Sequence, residues 1–386
     1  MRYRVFIPHG IALHCTYRLA PLYERGSFTL SNSNTVLAAM LTALGLYFPA
    51  DAWAASPPMK CVNVQVNEGE TPLSSPMLQT ILPKGGCVRD MLGWHQVEQV
   101  AGQLVMPARQ WQSYQNVAAA GGYNIVTLGF GNALYGSNGY QVKADNLGLP
   151  VTTQQIQAFK KYAVWVVSND GGASPDSVAA NIPNLYGVSI WNELNGSWTG
   201  GISNIATREE VYAKLINVVG PAIRAANPNV EVIVGATVGS NIGGWYLHLF
   251  ADHMWGKNDP GVYLDVHPYL GQALTPANQN VPQLATWNRS MKRIRGAGIN
   301  NALFATEWGG QIGNLVESKN PGVNYFDWMQ ANLFGKENFA GTAWFEATNF
   351  GNFGDPGLIN VGGAPSAQTP SGPVQTTKLG NQFVAW

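Results

Sequence analysis

Residues 187–236 read GVSIWNELNGSWTGGISNIATREEVYAKLINVVGPAIRAANPNVEVIVGA and contain one complete unit of the fold. Gly187–Trp191 is a short apolar run, the pattern of a strand buried on both faces. Arg208–Ala226 carries apolar residues at helical spacing and stops at Asn227-Pro228, because proline cannot continue a helix. Thr207 stands before it as a candidate cap, with Glu209 and Glu210 expected in the first turn. Glu231–Ala236 is a second apolar run. Strand, helix and strand in that order predict a parallel pair joined by a crossover helix.

The same alternation extends in both directions. Cys61–Val66, Cys87–Met91 and Asn124–Gly129 precede this unit as strand candidates, and Tyr263–His267, Ala302–Thr306 and Gly341–Phe345 follow it. Helical periodicity marks Pro76–Leu82, Ala108–Ala120, Thr153–Ser168, Gly244–Met254, Pro282–Ala297, Asn324–Lys336 and Thr377–Ala385. Gly296 and Gly298 close the helix that precedes the strand leading to Glu307. Eight strands alternating with eight helices predict an α/β protein, a single (β/α)8 TIM barrel. Neither an internal repeat nor an interdomain linker is visible, and Gly362–Pro373 reads as an exposed loop. Residues 55–386 therefore read as one domain.

Residues 1–54 read as a leader. Val36–Phe48 has the length of a signal-peptide apolar segment and is short for a membrane span. Ala52-Trp53-Ala54 after it is a small-x-small cleavage site, and Arg2, Arg4, Arg18 and Arg25 supply the upstream positive charge. An uncleaved anchor is the alternative. Cleavage predicts a secreted or periplasmic protein with no membrane association afterwards. Cys15 falls in the leader, leaving Cys61 and Cys87 to form a disulfide or to stand as two buried thiols on neighbouring strands. Twenty-two basic against 22 acidic residues leave no electrostatic footprint for nucleic acid. The three Cys and six His are not spaced as a zinc site, so no metal is expected.

Two segments carry chemistry. Ser189-Ile190-Trp191-Asn192-Glu193-Leu194-Asn195 and Leu303-Phe304-Ala305-Thr306-Glu307-Trp308-Gly309 each end an apolar run in a glutamate. In a TIM barrel the C-terminal strand ends form the active mouth, and strands four and seven face each other across it. Two carboxylates converging on one bond are the minimal equipment for glycoside hydrolysis. Glu193, beside Trp191, is the candidate acid/base, and Asn192 is placed to hold a sugar hydroxyl. Glu307 is the candidate nucleophile and needs a cation or donor to stay ionised. Arg89 can supply a guanidinium, unless it pairs with Asp90 or Glu98 at the rim. Tyr269 is a donor candidate toward Glu307, and His267 toward either acid or the sugar. Trp344 is expected as an indole platform for a sugar ring, with Trp308, Trp198, Tyr135 and Phe350 as further aromatic candidates. Glu346, one strand on, is the rival carboxylate.

These residues resemble clan A glycoside hydrolases, in which the acid/base glutamate follows an asparagine after strand four and the nucleophile ends strand seven. More of the chain is similar to glycoside hydrolase family 39 and its exopolysaccharide-active relatives. The similarity runs through Val88-Arg89-Asp90 with Trp94 and Glu98, Leu128-Gly129-Phe130-Gly131-Asn132 with Tyr135, Trp191-Asn192-Glu193, and Asp265-Val266-His267-Pro268-Tyr269. Leu194-Asn195 departs from the many relatives that carry proline first after the acid. The resemblance implies a retaining double displacement without a cofactor, on a polysaccharide or oligosaccharide; export and the aromatic-rich rim favour a polymer over a small glycoside, and cleavage within the chain is expected. An exo-acting β-glycosidase, a transglycosylase and a catalytically silent carbohydrate-binding barrel are the alternatives. Oligomeric state is left open.

Overall fold

A computed structural model describes residues 58–136, 148–169, 179–196, 202–269, 282–309, 325–348, 357–360 and 375–386. The expected leader, the loop 362–373, Trp198 and Phe350 lie outside these residues. The barrel is built within Ala55–Trp386.

Eight parallel strands close on themselves in sequence order. They are β1 (Met59–Asn63), β2 (Cys87–Gly93), β3 (Tyr123–Gly129), β4 (Leu185–Ile190), β5 (Glu231–Val234), β6 (Val262–Val266), β7 (Leu303–Trp308) and β8 (Phe339–Trp344). All eight expected strands form, so the barrel predicted from the sequence is the fold observed. The main correction is at β1, which was expected to reach Val66. The chain leaves the sheet after Asn63 and turns through a 3-10 segment at Val66–Glu68. Cys61 and Cys87 are register partners on β1 and β2 and are joined as a disulfide, with Cα atoms 4.3 Å apart.

Side chains alternate across each strand, so every second residue faces the barrel axis. Cys61, Cys87, Ile125, Ile233, Phe304 and Ala343 form one fully buried apolar cluster inside the barrel. A step of two residues along four of these strands gives Asn63, Arg89, Thr127 and Thr306, all buried and polar. The interior thus changes from apolar to polar toward the C-terminal strand ends. The larger apolar core lies between the strands and the helices outside them.

Helix boundaries follow local chemistry. Thr152 caps the helix Thr153–Val167 with a complete capping box, Gln155 returning the bond. The long helix is Ile205–Ala226, three residues longer than expected at its start, because the Asn204 side chain accepts from Thr207 N and acts as the cap. Thr207 is therefore inside the helix and is not its cap. The stop at Asn227 is as expected. The helix expected at Asn324–Lys336 forms as an α-helix at Tyr325–Met329 that runs on as a π-helix at Gln330–Phe334. A two-stranded sheet of β9 (Ile359–Asn360) and β10 (Gln375–Thr376) leads to the final helix, Lys378–Ala385.

Candidate active site

Arg89 organises the mouth of the barrel. It is 4% exposed, and its guanidinium donates to Thr127 Oγ1 at 2.8 Å, Asn63 Oδ1 at 3.0 Å and Asn192 Oδ1 at 2.8 Å, as well as to Glu307 Oε1. A buried cation needs such a full set of acceptors, since each unmet donor is costly in low dielectric. The planar fork meets acceptors from β1, β3, the end of β4 and β7 at once. The pairing with Asp90 or Glu98 is not formed: Glu98 takes bonds from Trp94, Tyr135 and Gly102.

Glu307 receives Tyr269 Oη on its second oxygen at 2.9 Å, and His267 Nδ1 lies 3.4 Å from that oxygen. Burial by itself raises the Glu307 carboxyl. The positive His267 and Arg89, with the bonds from Tyr269 and Arg89, outweigh it and hold the group below its ordinary value. Thr306 and Glu307 are consecutive, yet both reach the barrel interior. A register irregularity on β7 between Ala305 and Trp308 breaks the alternation there and re-aims the side chains.

Glu193 stands just beyond β4, with Trp191 and Glu193 both in the left-handed backbone region (φ 70° and 49°). L-residues avoid that region unless the surroundings hold them there. Here Leu194 N donates to Ala236 O at 2.6 Å, and Asn195 exchanges two bonds with Val238. Buried Arg208, on the following helix, donates to Leu194 O, Gly196 O and Ile202 O. Glu193 Oε1 lies 2.7 Å from His267 Nδ1. Burial lowers the His267 ring, but Glu307, Glu193 and Asp265 around it raise it further, and the net direction is upward.

Glu193, His267 and Glu307 present one atom each within 4.8 Å of one another. They are the described residues whose donor atoms come nearest to a metal-ligand set. Both Glu307 oxygens already take protein donors, and His267 is engaged with Glu193, so these atoms satisfy one another. One oxygen of Glu193 therefore stands within 4.8 Å of one of Glu307, so the two carboxyl groups face the same small space.

The two acids open on a cleft of about 360 Å³. Its other walls are Arg89 and Met91 from β2, Phe130 after β3, Asn192, Tyr269, Phe345 after β8, and Val64, Gln65, Asn67 and Glu68 after β1. Of the residues singled out in the sequence, the structure thus brings together Glu193, Glu307, Arg89, Asn192, His267 and Tyr269. Trp308 and Trp344 correct the expectation. Both have no exposed surface and pack edge to face, with ring centres 5.0 Å apart, among Phe326, Phe334 and Trp386. Alternation explains this, because Ala343 faces the axis and Trp344 must face the helix layer. The next inward residue is Phe345, which lines the cleft together with Phe130 and Tyr269. Tyr135 stacks on Trp94 at 5.1 Å and does not line the cleft. Glu346 is 2% exposed and accepts Gln65 Nε2 at 2.9 Å, so it sits behind a wall residue.

Sequence reading missed Gln65, Glu68, Met91 and Phe345. Gln65 had been counted into β1. The signal for Phe345 was its two-residue spacing from Ala343. Burial of the Glu68 carboxyl and the charge of Glu307 both raise it.

No protein-family model and no curated protein matches the chain. Solved structures do. A family 39 glycoside hydrolase from the gut symbiont Bacteroides cellulosilyticus aligns with a TM-score of 0.55 and 16% identity, over 79% of this chain and 60% of its own. A monomeric β-xylosidase from Caulobacter crescentus aligns at 0.53 and 15%, over 82% and 68%. An endo-β-1,4-glucanase from Xanthomonas axonopodis pv. citri aligns at 0.51 and 13%, over 85% and 99%. The chain thus spans about three fifths of the length of the family 39 protein. What it has in common with all three is the fold, an eight-stranded parallel barrel wrapped in helices.

Proposed function

We propose that the chain is a retaining glycoside hydrolase of clan A, most like family 39, that uses Glu193 as acid/base and Glu307 as nucleophile. The observation that carries this reading is the approach of the two buried glutamates, one oxygen of each, to within 4.8 Å at one cleft, both facing Nδ1 of His267. Glu307 has the surroundings of a nucleophile: its charge is held by Arg89, Tyr269 and His267. In the first step its carboxylate attacks the anomeric carbon. Glu193 gives its proton to the departing oxygen, leaving a glycosyl ester on Glu307. In the second step Glu193 takes a proton from water, which attacks the same carbon and frees Glu307. Asn192, fixed by Arg89, keeps its amide nitrogen for a sugar hydroxyl, and Phe345 offers a ring face in place of the expected indole.

The substrate proposed is a polysaccharide cut within the chain, encountered outside the cytoplasm. Support for export comes from the leader-like residues 1–54 and from the disulfide between β1 and β2. N-terminal sequencing of the exported protein is expected to begin near Ala55.

The test is a reducing-sugar assay over a panel of polysaccharides, with product sizing. Wild type is expected to release a ladder of oligosaccharides. Glu307→Gln is expected to lose turnover by about 10⁴-fold or more, as for removal of a nucleophile, while still binding the glycan. Wild type that binds glycan and never releases a reducing end would assign a binding barrel instead. Single sugars from the outset would assign exo action, and new glycosides formed with an added acceptor would assign transglycosylation.

A further inference from the structure

Behind the two glutamates runs a line of buried polar groups that the displacement itself leaves unused. His267 engages both ring nitrogens: Nδ1 faces Glu193 Oε1 at 2.7 Å, and Nε2 lies 2.8 Å from Thr306 Oγ1. The same hydroxyl is bonded to Asp265 Oδ1, while Ser189 Oγ donates to Asp265 Oδ2 at 2.7 Å. Ser189, Asp265, His267 and Thr306 have no exposed surface, so no bulk water can substitute for any partner.

A threonine hydroxyl has a single proton, and an ionised carboxylate only accepts. Facing an ionised Asp265, Thr306 must spend its proton on Oδ1, and its oxygen is then left to accept from His267. Nε2 therefore carries a hydrogen in both charge states of the ring. The nitrogen whose proton comes and goes is Nδ1, which is aimed at Glu193. The opposite polarity, with a protonated Asp265 giving to Thr306 and Thr306 giving to Nε2, would leave a neutral ring protonated on Nδ1.

We propose that Asp265 and Thr306 are positioning residues that lock the proton of His267 on Nε2 and so leave Nδ1 as the proton-exchanging partner of Glu193. Its catalytic meaning rests on the acid/base reading of Glu193, but the polarity of the relay does not. In the cationic ring Nδ1 keeps its own proton through the cycle: once Glu193 has given its proton to the departing oxygen, Nδ1–H meets the new carboxylate charge, and when Glu193 takes a proton from water that bond is relaxed. The charged groups facing the ring are Glu193 after β4, Asp265 on β6 and Glu307 on β7, the last paired with Arg89 of β2. Tyr269 meets the ring edge to face, with centres 6.3 Å apart. Their summed negative charge agrees with the upward direction of the His267 pKa.

The experiment is nitrogen NMR of the full chain labelled with [15N]histidine, without substrate, with His267 assigned by its loss in His267→Gln. Wild type is expected to keep Nε2 protonated throughout the titration, with Nδ1 titrating above the ordinary histidine range. Thr306→Val removes the acceptor for a buried N–H and disfavours the charged ring, so it is expected to titrate lower by about one pH unit or more. Its neutral form is no longer confined to Nε2–H. Thr306→Ser is expected to restore the wild-type behaviour, and Asp265→Asn to move in the direction of the valine variant. In turnover, Thr306→Val is expected to lose about tenfold in kcat with KM little changed, and the alkaline limb of its pH profile moves down. A wild-type ring that is neutral and protonated on Nδ1 overturns the relay, whether or not any variant folds. So does a folded valine variant that titrates as wild type does. A wild type inert on every glycan but with Nε2–H locked keeps the relay and sinks only the hydrolase reading.

Discussion

Arg89 and Glu70 show how single buried charges set behaviour at this mouth. Arg89 reaches Thr127, Asn63, Asn192 and Glu307 because its donors are fixed in a planar fork. Lysine keeps the charge but reaches one or two of these acceptors. Arg89→Lys is therefore expected to lower kcat on the order of 10²-fold, measured against wild type on the same glycan, with Asn192 and Asn63 left short of donors. Glu70, 1% exposed, is raised to about 7 by burial, against the lowering effect of bonds from Thr348 and Gln65. A carboxyl with a raised folded-state pKa stabilises the fold below its unfolded value near 4.5, and that contribution is lost as pH rises through about 7. Glu70→Gln is expected to remove a fall in unfolding free energy of up to about 3 kcal/mol between those limits, read from urea melts across the pH series. Residues of the first kind were legible in the sequence, because a charged side chain inside an apolar strand has few explanations. Glu70 was not, since its burial arises from contacts with Thr348, far away in the chain.

Strands and helices were the most legible level, because burial on both faces writes each barrel strand as an apolar run bounded by polar turns. What the runs do not record is where a strand departs from regularity. The irregularity on β7 turns Thr306 and Glu307 to the same side, and Trp308 and Trp344 turn away from the cleft for the complementary reason. An indole at a strand end looks the same in sequence whether it faces the axis or the helices, so both were placed on the substrate. Interior packing has a similar hidden requirement on β8. A Cβ at Gly341 would stand 2.3 Å from Phe304 Cζ, in the fully buried cluster that fills the lower barrel. Neighbouring strands cannot part to make room without breaking the closed ladder. Gly341→Ala is expected to cost about 1–3 kcal/mol of stability by overpacking, measured as a lower denaturant midpoint at unchanged m-value.

Across the whole barrel, the apolar lower interior supports the polar upper one, and the disulfide lies in the lower part. Cys61 and Cys87 sit one inward position below Asn63 and Arg89 on the same two strands. The bridge closes a separation of 26 residues, which in the chain-entropy account restricts the unfolded state by about 3.5 kcal/mol. It does not itself hold Arg89, whose bonds run to side chains on other strands and loops. Stability and chemistry should therefore separate. The double variant Cys61→Ala, Cys87→Ala is expected to lose about 3.5 kcal/mol in denaturant unfolding, yet to keep wild-type turnover at temperatures where it stays folded. Both sulfurs belong to residues with no exposed surface, so a reductant reaches them only when the barrel opens. In native buffer with dithiothreitol, thiol labelling should be slow and should accelerate with added urea in step with global unfolding. Rapid labelling in the absence of denaturant would mean that β1 and β2 part locally, and that the anchor of Glu307 is far less rigid than its bonds imply.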